Sequence, residues 1–315
     1  MRALITGVAG FAGGHLVEHL ASAGGWEIWG NVRDEPDLRY VVGGAQAIVA
    51  DLRVPQVVLD LIDRVQPDYV FHLAAQPFVP QSWADPWDTF ETNLRSQINL
   101  LDALLKRRPA ARVLVVGSNE EYGQVAPDQL PLREDSPLRP DSPYGVSKIA
   151  QDFMGLQYCL SHQLPVIRVR PFNHIGPRQG DKFVASAFAK QIALIEAGQI
   201  PPAIKVGNLS AQRDFTDVRD MMRAYRMAIE QGEPGEVYNI GSGTPRSVQH
   251  LLDILLSLST VSIRVEVDPE RLRPSDTPIS YCDASKFNAR TGWTPAIPFQ
   301  QTLRDVLDDW RQRMK

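Results

Sequence analysis

Tyr144 and Lys148 stand one helical turn apart in the stretch Ser142-Pro143-Tyr144-Gly145-Val146-Ser147-Lys148. Positions i and i+4 stack on one face of a helix. A phenol there sits beside a fixed cation, which favours the phenolate and is expected to pull the tyrosine pKa down from about 10 toward neutrality. A phenol tuned in this way can exchange protons with a substrate oxygen at working pH. The same spacing occurs on many solvated helices, so the pair gains meaning only beside a ligand site.

The N-terminus supplies such a site. Residues Arg2 to Thr6 read as a short apolar strand, followed at once by Gly7-Val8-Ala9-Gly10-Phe11-Ala12-Gly13 and then by Leu16, Val17, Leu20 and Ala21 at helical spacing. A glycine-rich turn between a strand and a helix N-terminus lets backbone amides approach a pyrophosphate, where the helix dipole also favours negative charge. The spacing is G-x-x-G-x-x-G rather than the commoner G-x-G-x-x-G. A secretory signal would also begin with Arg2 and an apolar run, but the glycines and the polar His15, Glu18 and His19 argue against one.

The next strand, Glu27 to Val32, ends in Gly30-Asn31-Val32-Arg33, with no carboxylate at its tip. NAD sites usually place an acidic residue there for the ribose 2′-hydroxyl, whereas the fork of Arg33 suits a 2′-phosphate. This favours NADP(H), and the neighbouring Asp34 keeps NAD open. The bland alternative makes Arg33 a solvated loop charge.

With 315 residues, 43% hydrophobic and 22% charged, the chain has the composition of an ordinary globular enzyme. A net charge of −4 offers no basic footprint for nucleic acid, and no apolar run is long enough to span a bilayer. Two cysteines, Cys159 and Cys282, read as reduced core thiols, and a cytoplasmic location is expected. His72 and His174 lack partners at metal spacing, so no metal site is expected.

Strands at Ala47 to Val49, Tyr69 to Leu73, Arg112 to Gly117 and Val166 to Arg170 alternate with amphipathic helices at Val54 to Val65 and Trp87 to Leu105. The alternation predicts an α/β fold: a Rossmann-like, doubly wound parallel sheet with a smaller C-terminal substrate-binding lobe. Residues 1–170 would form the nucleotide domain. Residues 171–315 would form mainly the substrate lobe, as shorter helices and isolated strands, with some segments returning to the first domain. Trp83 and Trp87 flank a helix start and are expected to pack.

Taken together, Thr6-Gly7-x-x-Gly10-Phe11-x-Gly13, Asp51-Leu52, His72-Leu73-Ala74-Ala75-Gln76, Asn93, Ser118, Tyr144-x-x-x-Lys148 and Arg170-Pro171-Phe172-Asn173 make the chain resemble the extended short-chain dehydrogenases/reductases, in their sugar-nucleotide-modifying branch. The resemblance covers essentially the whole length. Gly117 to Gly123, Arg170 to Pro177 and Arg273-Pro274-Ser275-Asp276 look most like the reductases of GDP-4-dehydro-6-deoxy-D-mannose.

The resemblance implies a role for each matching residue. Gly7, Gly10, Phe11, Ala12 and Gly13 would hold the NADP(H) pyrophosphate, Asp51 and Leu52 would flank the adenine, and Leu73, Ala74 and Ala75 would pass close to the cofactor. Asn93 would support the strand ends or the cofactor. Ser118 would bond the substrate oxygen that Tyr144 protonates, and Lys148 would also bond the nicotinamide ribose. Arg213 and Arg273 would take the sugar-nucleotide pyrophosphate. Asn173 would sit beside that group, and Phe183 and Val184 would cover the nucleoside, with Asn119 and Glu120 near the sugar. A homodimer built on the helices from Trp87 and from Tyr144 to Leu160 is also implied.

The implied activity is NADPH-dependent reduction of the 4-keto group to give GDP-6-deoxy-D-mannose. Glu120 occupies the place of the glutamate of GDP-mannose 4,6-dehydratases, so a dehydratase or a bifunctional enzyme remains an alternative. A nucleotide-sugar 4-epimerase and a non-catalytic NADP-sensing protein are weaker ones. Each residue also has a plain structural reading: strand packing for the alanines, a satisfied strand-end hydroxyl for Ser118 and surface charge for the arginines.

Overall fold

Strand β1 (Arg2–Thr6) sends Ala3 and Ile5 to one apolar layer and Leu4 to another, all fully buried. This period of two places β1 at the centre of a sheet covered on both faces. The computed structural model describes residues 1–271 and 277–314. After β1 come α1 (Phe11–Ala23), β2 (Glu27–Val32), β3 (Gln46–Val49), α2 (Pro55–Val65) and β4 (Tyr69–His72). A helical run follows as α3 (Val79–Ala84), α4 (Pro86–Phe90) and α5 (Ser96–Arg107). It leads into β5 (Arg112–Val116), α6 (Pro143–His162) and β6 (Val166–Pro171).

The later elements are β7 (Asn173–Ile175), α7 (Val184–Glu196), β8 (Ala203–Val206), β9 (Gln212–Asp217), α8 (Val218–Gln231) and β10 (Val237–Ile240). Then come β11 (Pro245–Ser247), α9 (Val248–Ser257), β12 (Arg264–Val267), β13 (Ile279–Ser280), α10 (Ser285–Thr291) and α11 (Phe299–Arg313). Seven strands pair in parallel in the order β10-β6-β5-β4-β1-β2-β3. The strand order reverses between β1 and β4, and open sheets of this kind bind ligands outside their carboxyl ends at that point.

One face of the sheet is covered by Leu16, Val17 and Leu20 of α1 together with Met221, Met222 and Tyr225 of α8. The other is covered by Val58, Leu61 and Ile62 of α2, by Leu100, Leu101 and Leu104 of α5, and by Tyr158 of α6. A separate core holds the second lobe together, with Phe188 and Ile192 of α7, Leu251, Leu252 and Leu255 of α9 and Leu303 and Leu307 of α11. At about 1.5–3 kcal/mol for each large apolar side chain withdrawn from water, these layers supply the main drive for folding.

The structure corrects several local expectations. The helix expected from Trp87 to Leu105 starts at Pro86 and is broken by a wide turn at Glu91–Arg95 before α5 continues. Such π-type turns insert an extra residue and re-aim side chains; here Asn93 is carried inward to a fully buried position. Trp83 and Trp87 are not packed into the interior but stand 60% and 80% exposed.

Beyond Pro171 the helices are not uniformly shorter: α7, α8 and α11 have 13, 14 and 15 residues against 13 in α1 and 11 in α2, while α9 and α10 have 10 and 7. Nor are the strands isolated, because β7, β9, β11 and β13 form one sheet and β8 and β12 another. Strand β10 and helix α8 lie after residue 170 in the chain but join the first sheet and its cover.

Candidate active site

Gly7 leaves β1 with φ +70°, a left-handed conformation that strains any residue with a Cβ. Its amide donates to Asn31 Oδ1 at 3.2 Å, and the side-chain amide of Asn31 in turn donates to Ala50 O at 2.9 Å. The tip of β2 thereby clamps the turn. A Cβ on Gly13 would come within 2.4 Å of Gly7 O, so α1 can approach the turn only as glycine. Gly10 caps α1 without a side-chain partner, and the first turn carries no acidic residue. Free amides at a helix start and an uncrowded backbone are the features a pyrophosphate needs.

At the end of the same strand, Thr6 Oγ1 accepts from the amides of Leu73 and Ala74, both at 3.0 Å. Its own hydrogen is then left for His72 Nδ1 at 2.9 Å. That contact makes Nδ1 the acceptor and puts the imidazole proton on Nε2. Burial drives the His72 pKa down to about 3, so the ring is neutral. Among the described residues, no group of three or more His, Cys, Asp or Glu side chains is placed to hold a metal ion.

A cleft of about 1150 Å³ opens above these strand ends. It exceeds the roughly 300–1,000 Å³ of an ordinary small-molecule site, and its size suits a dinucleotide and a second ligand together. Gly7, Gly10, Phe11, Ala12, Gly13, Leu73, Ala74 and Ala75 line its floor, and Arg33, Asp51 and Leu52 line one end. Ser118, Asn119, Glu120, Tyr144 and Lys148 stand in the middle, and Asn173, Phe183, Val184 and Arg213 line the side made by the second lobe.

Two expected members are not on that wall. Asn93 is fully buried behind it, where Oδ1 accepts from Gln76 N at 2.8 Å and Nδ2 donates to Ser147 Oγ at 2.9 Å. It braces α6 against the loop after β4 and reaches no ligand surface. Arg273 lies outside the described residues.

The central cluster is set by helix α6. Its N-cap Ser142 accepts from Gly145 N at 3.0 Å, and Tyr144 N donates to Ser82 Oγ at 3.1 Å. These bonds fix the first turn, from which Tyr144 points to Ser118; the two side chains are hydrogen-bonded. Lys148 Nζ donates to Val116 O at 2.9 Å, at the end of β5.

The electrostatics differ from the sequence expectation. The Tyr144 pKa is raised, not lowered, chiefly by burial, with Glu120 and Glu121 adding to the rise. Lys148 Nζ lies 5.8 Å from the phenol ring centroid, and burial brings its own pKa down to about 8. In this arrangement desolvation of the phenol outweighs the distant cation. The ring is therefore a neutral proton donor at working pH, which suits protonation of a nascent alkoxide.

Arg33 and Asp51 are also partly committed. Arg33 Nε pairs with Asp34 at 2.8 Å, and Asp51 holds Arg53 at 2.7 Å. Both arginines stand at the same end of the cleft. Arg213 Nη1 donates to Gln212 O at 2.9 Å and Thr277 O at 2.6 Å, which orients the guanidinium along the second-lobe wall.

Several site residues were given no role from the sequence. His174 stacks on Phe11 with centroids 5.9 Å apart and planes 4° from parallel, joining the glycine turn to the second lobe. Tyr225 reaches the cleft from α8, and Ser82 braces the start of α6. Phe78 and Phe183 meet edge to face at 6.4 Å across the cleft mouth. Nothing local in the sequence pointed to Ser82 or Tyr225.

Comparison with known proteins agrees with this geometry. The family described as GDP-mannose 4,6 dehydratase matches residues 4–306. The chain is 36% identical to GDP-6-deoxy-D-mannose reductase of Pseudomonas aeruginosa, across 100% of this chain and 98% of the relative. Among solved structures it is similar to RMD from Pseudomonas aeruginosa complexed with NADPH, at 34% identity and TM-score 0.88, covering 99% of each chain. It is also similar to the UDP-glucose 4-epimerase of Thermus thermophilus in complex with NAD, at 30% identity and TM-score 0.87, again covering 99% of each chain. With a Rossmann-like sheet, a glycine turn at its switch point and a Ser118–Tyr144–Lys148 cluster above it, the chain belongs to the GDP-mannose 4,6-dehydratase family of the extended short-chain dehydrogenases/reductases.

Proposed function

We propose that the chain reduces the 4-keto group of GDP-4-dehydro-6-deoxy-D-mannose to GDP-6-deoxy-D-mannose, with NADPH as reductant. The observation that carries this reading is the Ser118–Tyr144 hydrogen bond, facing a cleft floored by the glycine turn. Whole-length similarity to a GDP-6-deoxy-D-mannose reductase supports the choice of substrate.

When bound, the reduced nicotinamide supplies a hydride. The chain's own residues do the rest. The turn from Gly7 to Gly13 and the N-terminus of α1 hold the cofactor pyrophosphate, and Arg33 takes the 2′-phosphate by exchanging its exposed partner Asp34 for a better one. Ser118 donates to the ketone oxygen, and Tyr144 gives its proton to the same oxygen as charge develops there. Lys148, held at the end of β5 by the Val116 carbonyl, takes the nicotinamide ribose. Asn119, Asn173, Arg213, Phe183 and Val184 receive the sugar nucleotide from the opposite wall, and Arg273 is assigned to its pyrophosphate.

Glu120 favours a second reading. It lines the cleft two residues after Ser118, where a carboxylate could remove a proton next to a C4 ketone. A dehydratase, or both activities in one chain, would use it in that way. The two readings separate when the protein is given GDP-4-keto-6-deoxymannose with NADPH, and then GDP-mannose alone. The reductase consumes NADPH only with the keto-sugar. Conversion of GDP-mannose without added reductant, lost in Glu120→Gln, would establish the dehydratase instead.

We read the assembly as a homodimer joined through α4, α5 and α6, where Trp87, Phe153 and Leu160 stand exposed on neighbouring helices. Apolar patches of this kind on a soluble chain mark contact surfaces. None of the described helices is long and apolar enough to cross a membrane. The free thiols Cys159 and Cys282 fit a reducing, cytoplasmic setting.

A further inference from the structure

Directly after Ser118 and Glu120 comes a second glutamate, Glu121, which is fully buried and does not line the cleft. Its carboxylate turns back along the chain. Oε1 accepts from Ser118 N at 2.8 Å, while Ser118 Oγ accepts from Glu120 N at 3.2 Å. The Ser118 backbone and hydroxyl are thus both held by the turn that follows, through Glu121 and Glu120. The return is possible because residue 117 is glycine: a Cβ there would lie 2.2 Å from Glu121 Oε1.

The other carboxylate oxygen leads away from the strand end. Glu121 Oε2 lies 2.9 Å from Arg170 Nε on β6. The same Arg170 donates through Nε at 3.1 Å and Nη2 at 2.5 Å to Asp152 Oδ2, and Arg168 Nη1 donates to Asp152 Oδ1 at 3.0 Å. All four of these charged side chains are buried. Asp152 sits on α6 two turns beyond Tyr144, so Tyr144, Lys148 and Asp152 fall at i, i+4 and i+8 on one helical face.

The contacts close a ring. From Tyr144 it runs along α6 to Asp152, across to Arg170 on β6, on to Glu121, back to Ser118 and through its hydroxyl to Tyr144. We propose that Glu121 is a positioning residue for the reduction, tying the Ser118 backbone to the helical face that carries Tyr144 and so setting the spacing of the two groups that meet the substrate oxygen. This inference rests on the reductase reading for its kinetic consequences, but not for its geometry. Buried polar groups with this degree of mutual contact have few alternative arrangements, which is what a fixed spacing requires. Burial and the nearby Asp152 raise the Glu121 pKa to about 8, so reach and two oxygen acceptors matter more here than full ionisation.

Three variants separate reach from charge and from simple filling of space. Glu121→Gln keeps the length and an oxygen acceptor for Ser118 N, but turns its NH2 toward Arg170 and so gives up that one link. Glu121→Asp keeps the charge but falls one methylene short, and Glu121→Leu keeps only bulk. The arrangement predicts a graded loss: Gln, which keeps the Ser118 link and gives up the Arg170 one, loses kcat by about fivefold, while Asp and Leu lose roughly tenfold to a hundredfold, the scale of a misplacement near 1 Å. The dissociation constant for NADPH should stay near the wild-type value in each variant, because no cofactor contact is touched.

A purely structural cap would instead lower the melting temperature and leave kcat per folded molecule unchanged. Hydrogen exchange at the Ser118 amide gives a readout that needs no substrate: protection should persist in Gln and fall in Asp and Leu. Should Leu fail to fold, the Gln and Asp pair still decides. Wild-type kcat in folded Asp, an equal loss in Gln, or unchanged Ser118 protection in Asp would overturn the proposal. If the wild-type protein does not turn over the keto-sugar, the reductase reading fails, and the exchange measurement still tests the ring.

Discussion

Lys148 Nζ lies 5.8 Å from the Tyr144 ring centroid and donates to the Val116 carbonyl rather than to the phenol. The helical spacing that suggested a proton-withdrawing cation therefore does something else. It places the ammonium between the end of β5 and the cofactor side of the cleft, while Ser118 is the direct partner of the phenol. Tyr144 is a proton donor whose neutral form is favoured by burial, and Lys148 is a cation whose charge is held against burial.

Removing the phenolic oxygen should leave binding intact and abolish proton donation. Tyr144→Phe is expected to lower kcat about 10²–10⁴-fold, the usual contribution of a positioned acid. Its NADPH affinity, measured by fluorescence titration, should stay within about twofold, since the change is worth less than half a kcal/mol on that scale. Retained turnover would remove Tyr144 from the mechanism.

The Lys148 pKa gives a pH dependence with a definite sign. Burial brings it from 10.5 to about 8, so the ammonium is present below that pH and lost above it. NADPH affinity of the free protein should accordingly fall as pH rises through about 8. In Lys148→Met the affinity should be weaker throughout and lose this step. A step that survives in the variant would belong to another group, Glu121 being the neighbour that titrates in the same region.

Arg33 and Arg53 stand together at the adenosine end, each paired with an aspartate. Arg33 is the one able to exchange an exposed partner, so Arg33→Ala should cut the preference for NADPH over NADH. A charge-assisted contact to a phosphate predicts a loss of about tenfold to a hundredfold in the ratio of kcat/KM values. An unchanged ratio would move phosphate recognition to Arg53.

Much of this was legible in the chain because it depends on short-range pattern. Strands β1 and β2 have the expected limits, since each is a short run with glycines beside it that leave little choice of ends. The glycine turn was readable because Gly7 and Gly13 are demanded by backbone geometry, which residue type alone reveals. The Tyr144 pKa was not legible: its direction depends on how completely the ring is buried and on Glu120 and Glu121 nearby, a balance no spacing encodes.

Other features were hidden because they join distant segments. Arg168 and Arg170 look like polar interruptions of an apolar strand until Asp152 is seen 3.0 Å and 2.5 Å away. Asn93 reads as a support for the strand ends or for the cofactor, and the choice between them rests on the wide turn before α5, which carries it inward to Ser147 and to the loop after β4. The exposed Trp83 and Trp87 show the converse: aromatic residues at a helix start suggest packing, but here most of each side chain faces outward.

The central claim is that a ketone at C4 of the sugar gains a hydride from the cofactor and a proton from Tyr144. It is tested most directly by supplying NADPH deuterated at the transferable position of the nicotinamide, together with GDP-4-keto-6-deoxymannose, and locating the label in the isolated sugar nucleotide. The account predicts one deuterium at C4 of GDP-6-deoxy-D-mannose, with an equal amount of cofactor oxidised. Unlabelled product, label at another carbon, or reduced cofactor left unconsumed would contradict it.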